Sequence, residues 1–389
     1  MGKLTNSPAS SPKNSLSSYF SLTVRILAKG LILFGIANIL FAIVYPLPFI
    51  EKLSLYNHLF PGRARLPYGD DPSRSYNLSL YNLEAMFASH QIAGKEKPAD
   101  EYRLVLIGDS QTWGYLLEPD QTLSAILNQA NLQLPDGKKV KAYNLAYPVM
   151  SLTKDLLLLS KALEYQPDMI VWLVTLESFP YDKQLFPPLL QHNPQLVRQL
   201  IQNLNLKLDP QDQQLIDNHF LGQTIFGSRR DLANWVRLQI LGVLWAATGI
   251  DQDIPENYTS RMDDLPADDS FHDLSSPLDE ESLAFDILQS GIEMAGDIPV
   301  LILNEPMFIS QGLNSDIRYN YYYPRWAYDE YRRLLARRAE VRGWHFLDLW
   351  DAIPATEFTN TAVHLTPQGV NVLADRLRTA IIELASSQP

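Results

Sequence analysis

The chain of 389 residues has no cysteine. That absence excludes disulfide bridges, a thiolate nucleophile and any metal site built on sulfur. Positive charge is scarce: 32 lysines and arginines against 44 aspartates and glutamates leave a net charge of −12. A surface of that sign repels phosphates, so no nucleic-acid partner is expected. The histidines lack metal-ligand spacing. His58, His90, His192, His219, His272 and His345 read as structural, and no metal or cofactor is expected. Acidic residues are missing from the first 50 positions, where Lys3, Lys13, Arg25 and Lys29 supply the only charges. No charge of either sign occurs from Gly30 to Ile50. That apolar run is close to the ~20 residues a helix needs to cross a bilayer.

The positive-inside rule places residues 1–25 in the cytoplasm and assigns 26–50 to a single-pass signal anchor. Everything beyond then lies outside the cell membrane. The alternative is a cleaved signal peptide, but the apolar run is long and lacks a clear small-x-small cleavage site. Asn6 to Ser18, rich in Ser, Pro and Asn, reads as a disordered tail. Residues 51–100 form an irregular lead-in punctuated by Pro61-Gly62 and Gly69-Asp70-Asp71-Pro72.

Apolar content of 46% and charged content of 20% describe a globular remainder. Five short apolar runs read as strands: Arg103–Gly108, Lys139–Leu145, Met169–Val174, Pro299–Asn304 and Trp344–Leu349. Helical patterns separate them at Thr122–Ala130, Leu152–Glu164, Asp279–Ala295, Ala327–Val341 and Pro367–Leu384. Alternation of this kind predicts an α/β domain over 101–389: a three-layer, flavodoxin-like fold around a parallel five-stranded sheet. Residues 180–277 are too many for one crossover and form an insertion, with helices at Leu196–Leu206 and Arg230–Ala247 and an acidic loop from Asp263 to Asp273. In such sheets ligands bind at the carboxyl ends of the strands. Ser110, Ala146, Thr175 to Ser178 and Asn304 to Pro306 all follow strand ends.

Gly108-Asp109-Ser110-Gln111-Thr112-Trp113-Gly114 directly follows the buried run Leu104–Ile107. Ser110 therefore stands where a strand gives way to a helix, beside unpaired N–H groups and a positive dipole end. A neutral hydroxyl needs a base, and His364, just before the last helix, is the candidate. The plain alternatives are an N-cap serine and a turn-forming histidine. Glu177 and Glu305 also follow strand ends, either as acid/base carboxylates or, more simply, as buried hydrogen-bonded acids. The aromatic stretch Arg318 to Trp326 offers rings for a sugar and Arg318 or Arg325 for an anionic group, or else packs as a loop. Asn257-Tyr258-Thr259 matches a glycosylation sequon.

Over residues 101–385, insertion aside, the chain resembles the SGNH, or GDSL-type, hydrolase superfamily. Gly108 to Gly114 meets the GDSxTxG block in full. Asn144-Leu145-Ala146 stands for the Asn-Leu-Gly block, with alanine for glycine. The Gly-x-Asn-Asp block is absent, and Thr175-Leu176-Glu177-Ser178 occupies its strand end. The aspartate that usually stands three residues before the histidine is Thr361 here, while Asn360 lies four before. The resemblance implies a serine esterase or O-acyltransferase. Ser110 is the nucleophile, His364 the base, and the N–H groups of Ser110 and Ala146 meet the oxyanion. Thr175 or Ser178 would replace the missing side-chain donor. Asn360, Asp348, Asp351 or a backbone carbonyl would orient the imidazole. An exported, anchored member also resembles DltD-type and alginate-acetylation-type proteins, which implies acyl esters of small molecules or cell-envelope polymers as partners. The competing class is a glycan-binding or scaffold protein that has kept the fold.

Overall fold

A computed structural model describes residues 13–53, 62–68, 81–93, 96–215, 219–248 and 261–387. The tail before residue 13, His58, the 69–72 turn and the 257–259 sequon lie outside them. The chain divides into two units, residues 1–50 with 218–233, and residues 51–217 with 234–389.

In the first unit, helix α1 (Lys13–Val44) contains one span, Tyr19–Val44, long and apolar enough to cross a membrane. The helix begins well before residue 26 and stops at Val44, short of the expected Ile50. Pro46 is the cause. Its ring disfavours helical geometry in the residue before it, and Tyr45 turns to φ +39°. A short helix, Leu47–Lys52, follows the break.

In the second unit the lead-in is less irregular than expected. Helix α2 (Leu83–Ser89) folds beside an isolated bridge between Arg63 and His90. Leu66, Leu83, Met86, Phe87 and Ile92 enter the main core. The α/β elements run β1 (Glu101–Ile107), α3 (Ser110–Trp113), α4 (Leu123–Gln129), β2 (Lys139–Asn144), α5 (Leu152–Ala162) and β3 (Met169–Val174). Next come α6 (Pro194–Leu204) and α7 (Arg229–Thr248) of the insertion. Then follow α8 (Phe285–Ala295), β4 (Val300–Asn304), α9 (Arg325–Arg342), β5 (His345–Asp348) and α10 (Pro367–Ser386). The expected helix from Asp279 is shortened, because Asp279 caps a separate 3₁₀ turn, Glu280–Ser282.

The expected five-stranded sheet is present, all parallel, in the order β2-β1-β3-β4-β5. Alternate residues of each strand serve opposite cores. Val105, Ile107, Ile170 and Trp172 face the layer of α5, α8 and α9, whereas Leu104, Leu106, Met169 and Val171 face α4 and α10. That period-2 sorting of unbroken apolar runs is what a sheet covered on both faces requires. The chain leaves β1 toward β2 on one side and returns to β3 on the other. The order therefore reverses beside the carboxyl end of β1, the crevice where such folds bind ligands.

His90 gives this unit a pH signature. It is buried; Ile92 N–H donates to its Nδ1 at 3.2 Å, and its Nε2–H donates to Ala64 O at 3.2 Å. Burial pushes its pKa down to about 4. The unfolded chain thus binds the proton first, so stability is lost as pH falls from the ordinary histidine value near 6.5 toward 4. Urea titrations are expected to show a loss of about 2 kcal/mol between pH 8 and pH 5 from this group. His90→Gln should remove that part of the slope, and an unchanged slope would assign the loss elsewhere.

Candidate active site

The turn after β1 is built to present a serine. Gly108 has φ +159°, and a Cβ there would lie 2.6 Å from Thr112 Oγ1 and 3.2 Å from Leu173 Cβ. Only glycine fits. Asp109 caps α3, its Oδ1 accepting the Gln111 N–H at 2.8 Å. Ser110 then opens the helix, half-buried, at the edge of a cavity.

The loop before α10 brings His364 to it across 254 positions, with Nε2 2.9 Å from Ser110 Oγ. His364 Nδ1 lies 3.1 Å from Asn360 Oδ1, which also accepts from Thr359 Oγ1 at 3.2 Å. An amide oxygen can only accept, so the proton sits on Nδ1 and the Nε2 lone pair faces the serine hydroxyl. Thr361 Oγ1 accepts the His364 N–H at 3.1 Å, and Thr359 N–H donates to His364 O at 2.8 Å. The histidine loop is thereby held by its own backbone. With its amide nitrogen turned toward them, Gln111 donates to Val363 O and Pro306 O, tying the nucleophile helix to that loop.

The orienting group is thus Asn360, and the alternatives go elsewhere. Asp348 pairs with Arg332 at 2.7 Å and accepts from Asn304 at 2.8 Å, and Asp351 is exposed.

Beneath the turn lies a cluster of buried charge. Lys154 is 0% exposed; its ammonium donates to Gly108 O at 2.7 Å and Tyr147 O at 2.6 Å and forms an ion pair with Asp155 Oδ1 at 2.6 Å. Asp109, Asp155 and Glu305 crowd around this single cation. Burial, then the charges of Asp109 and Asp155, push the Glu305 carboxyl far upward. The Asp109 carboxyl is raised by burial as well, though Lys154 opposes the rise. Asp155 is pushed up to about 6 by burial, although Lys154 opposes the rise. Glu305 is a fully buried acid that does not line the cavity beside Glu177.

The cavity measures about 380 Å³ and is lined by Tyr68, Tyr115, Val149, Met150, Phe186 and Tyr322 around Ser110 and His364. Tyr115 lies against the imidazole, with ring centroids 4.9 Å apart. Glu177 and Lys183 also line it and pair at 3.0 Å; Glu177 meets His272 Nε2 at 3.0 Å as well. Burial would raise the Glu177 carboxyl, but the His272 hydrogen bond and the Lys183 charge hold it below its ordinary value.

Four expected site residues are placed otherwise. Ala146 is fully buried and its N–H goes to Asn144 Oδ1 at 3.2 Å. Thr175 Oγ1 is engaged with Tyr323 OH at 2.9 Å. Ser178 is buried and does not line the cavity. Arg325 donates to Ser315 O at 2.6 Å and stacks on Tyr319. Of the aromatic stretch only Tyr322 lines the cavity, because Arg318 binds the loop's own carbonyls.

Val149 is the residue that sequence reasoning missed. It lines the cavity at φ +77°, in left-handed geometry that a β-branched residue strongly disfavours. Among the described residues its N–H has no hydrogen-bond partner. A glycine there would have flagged the turn; a valine hides it.

No family model matches the chain, and no curated protein matches it. Solved structures similar to it include a GDSL-like lipase from Bacteroides thetaiotaomicron at 11% identity and a TM-score of 0.40, covering 78% of this chain and 99% of that one. An aryl esterase from M. smegmatis matches at 13% identity and a TM-score of 0.35, covering 72% and 99%. A carbohydrate acetylesterase from Sinorhizobium meliloti matches at 11% identity and a TM-score of 0.34, covering 72% and 99%.

Proposed function

We propose that this protein is a membrane-anchored, extracytoplasmic serine esterase or O-acyltransferase of the SGNH type. Its substrates would be acyl esters of small molecules or of cell-envelope polymers. The observation that carries this reading is the continuous chain Asn360–His364–Ser110, with Nε2 2.9 Å from the serine oxygen.

His364 Nε2 takes the Ser110 proton as Oγ attacks the ester carbonyl. The tetrahedral oxyanion meets the N–H groups of Ser110 and Val149, the latter replacing Ala146 in that role. Collapse expels the alcohol, which takes the proton from His364 and leaves an acyl group on Ser110. A water, or a sugar hydroxyl in the transferase case, then gives its proton to Nε2 and attacks the acyl-enzyme; collapse breaks the bond to Ser110 Oγ, which takes the proton back from His364 as the acid or new ester leaves. Both fates share the first half-reaction. The apolar and aromatic lining suits an acyl chain, and the paired Glu177–Lys183 rim suits a hydroxyl-rich leaving group.

The test is a fluorophosphonate serine probe on the full-length protein in detergent. A stable adduct on the peptide carrying Ser110, suppressed by p-nitrophenyl acetate, is expected. Neither adduct nor hydrolysis would favour the glycan-binding reading instead.

A further inference from the structure

One region of the insertion has properties that the site does not use. Phe220–Ser228 leads into α7 and shares the first unit with α1. Its Phe226 N–H donates to Asn38 Oδ1 at 3.0 Å, and Asn38 Nδ2 donates to Phe34 O at 2.8 Å. Asn38 is the polar residue within the apolar part of α1, and it is 8% exposed. It lies six residues before Val44, about 9 Å down the helix axis at 1.5 Å per residue. The loop is therefore fastened to α1 below its end.

At that level the loop shows apolar side chains outward. Phe220, Leu221 and Phe226 are 51%, 77% and 62% exposed, and Leu40 and Val44 of α1 are exposed as well. Part of its polar backbone is meanwhile bonded within the loop. Thr224 N–H and Oγ1 both donate to Leu221 O, Gly227 N–H donates to Thr224 Oγ1, Ser228 Oγ to Gly222 O, and Ser228 N–H to Thr224 O. The closure is tight: a Cβ on Gly227 would fall 2.2 Å from Leu221 O. Apolar side chains outside and a backbone bonded in part within the loop suit the bilayer interface, where the remaining amides still meet headgroups and water. Exposed Arg229 and Arg230 follow at once, and Arg229 stacks on Phe226 at 4.6 Å. Basic residues bordering an apolar tip fit the headgroup layer of an anionic bilayer.

We infer that Phe220–Ser228 is a second membrane contact. Its apolar tip enters the bilayer interface alongside α1, with Arg229 and Arg230 at the headgroups. The inference rests on the reading of α1 as a membrane span. The cysteine-free sequence makes the test clean, because a single introduced thiol has no competitor. Leu221→Cys and, separately, Ile36→Cys in α1 are labelled with an environment-sensitive fluorophore. The full-length protein is reconstituted into phosphatidylcholine–phosphatidylglycerol vesicles. Nitroxide-bearing lipids are expected to quench both labels, and aqueous iodide neither. Quenching by lipid at Ile36 with quenching by iodide at Leu221 overturns the inference while α1 stands as a span. Loss of lipid quenching at both positions overturns the span and the inference with it. A Leu221 label shielded from both quenchers would mean that protein, not lipid, covers the tip, which also overturns it.

Discussion

Ser110→Ala is expected to lower kcat for p-nitrophenyl acetate by at least about 10⁴-fold and to abolish probe labelling. The methyl group leaves nothing to attack the carbonyl and nothing to hold the acyl group, so catalysis by the covalent route ends. His364→Ala should cost nearly as much, since an un-ionised hydroxyl 2.9 Å from no base is a poor nucleophile. The two losses should not add: removing either partner stops the same step, and the double variant should match the single ones. Asn360→Ala is expected to lose only about 10²-fold, because it frees the imidazole to rotate without removing it. Asn360→Asp should restore or raise the rate, since a carboxylate steadies the imidazolium where an amide merely orients the ring. Turnover retained in Ser110→Ala, with the fold intact, would end the serine mechanism.

Lys154→Met is expected to destabilise the second unit by about 3–5 kcal/mol, the cost of removing one partner from a buried ion pair. The substitution keeps the apolar stem but strands two acceptors, Gly108 O and Tyr147 O, and breaks the ion pair with Asp155. It also leaves Asp109, Asp155 and Glu305 with no cation among them. The sign of the pH effect follows from Asp155. Its folded pKa is already raised to about 6, so its contribution to stability declines as pH rises from its ordinary value through 6. Without Lys154 that value rises further. The penalty of Lys154→Met should therefore be smaller at pH 5 than at pH 8. Urea unfolding of both proteins at the two pH values checks this, and His90 cancels because both carry it. A penalty below about 1 kcal/mol, the level of an exposed pair, would mean that solvent reaches the cluster.

Much of the architecture was readable in one dimension because both faces of the sheet are buried. Runs such as Met169–Val174 are then apolar at every position and stand out against their flanks. The serine turn was readable for a different reason: Gly108 answers to a local steric demand, which leaves a local signature. Boundaries were less so. Nothing in the hydropathy of Gly30–Ile50 marks the break at Tyr45, which comes from the proline ring at position 46. The rim residues were least legible. A strand end places the backbone of Thr175 or Ser178 near the crevice, but side-chain direction depends on what packs beside it. Tyr323 draws Thr175 away, with Thr175 Oγ1 and Tyr323 OH 2.9 Å apart.

By itself the sequence determined the parallel α/β layering, an apolar helix near the N-terminus and a serine on the turn after the first strand, since each follows from composition or from contacts along a few neighbouring residues. Only the tertiary structure decided that His364 reaches Ser110, that Asn360 and not Asp348 faces the imidazole, that Asn144 takes the Ala146 amide while Val149 lines the cavity, and that Glu305 is buried. Those outcomes depend on burial and on distances between residues far apart in the chain, and neither quantity exists until the sheet has closed over its two cores.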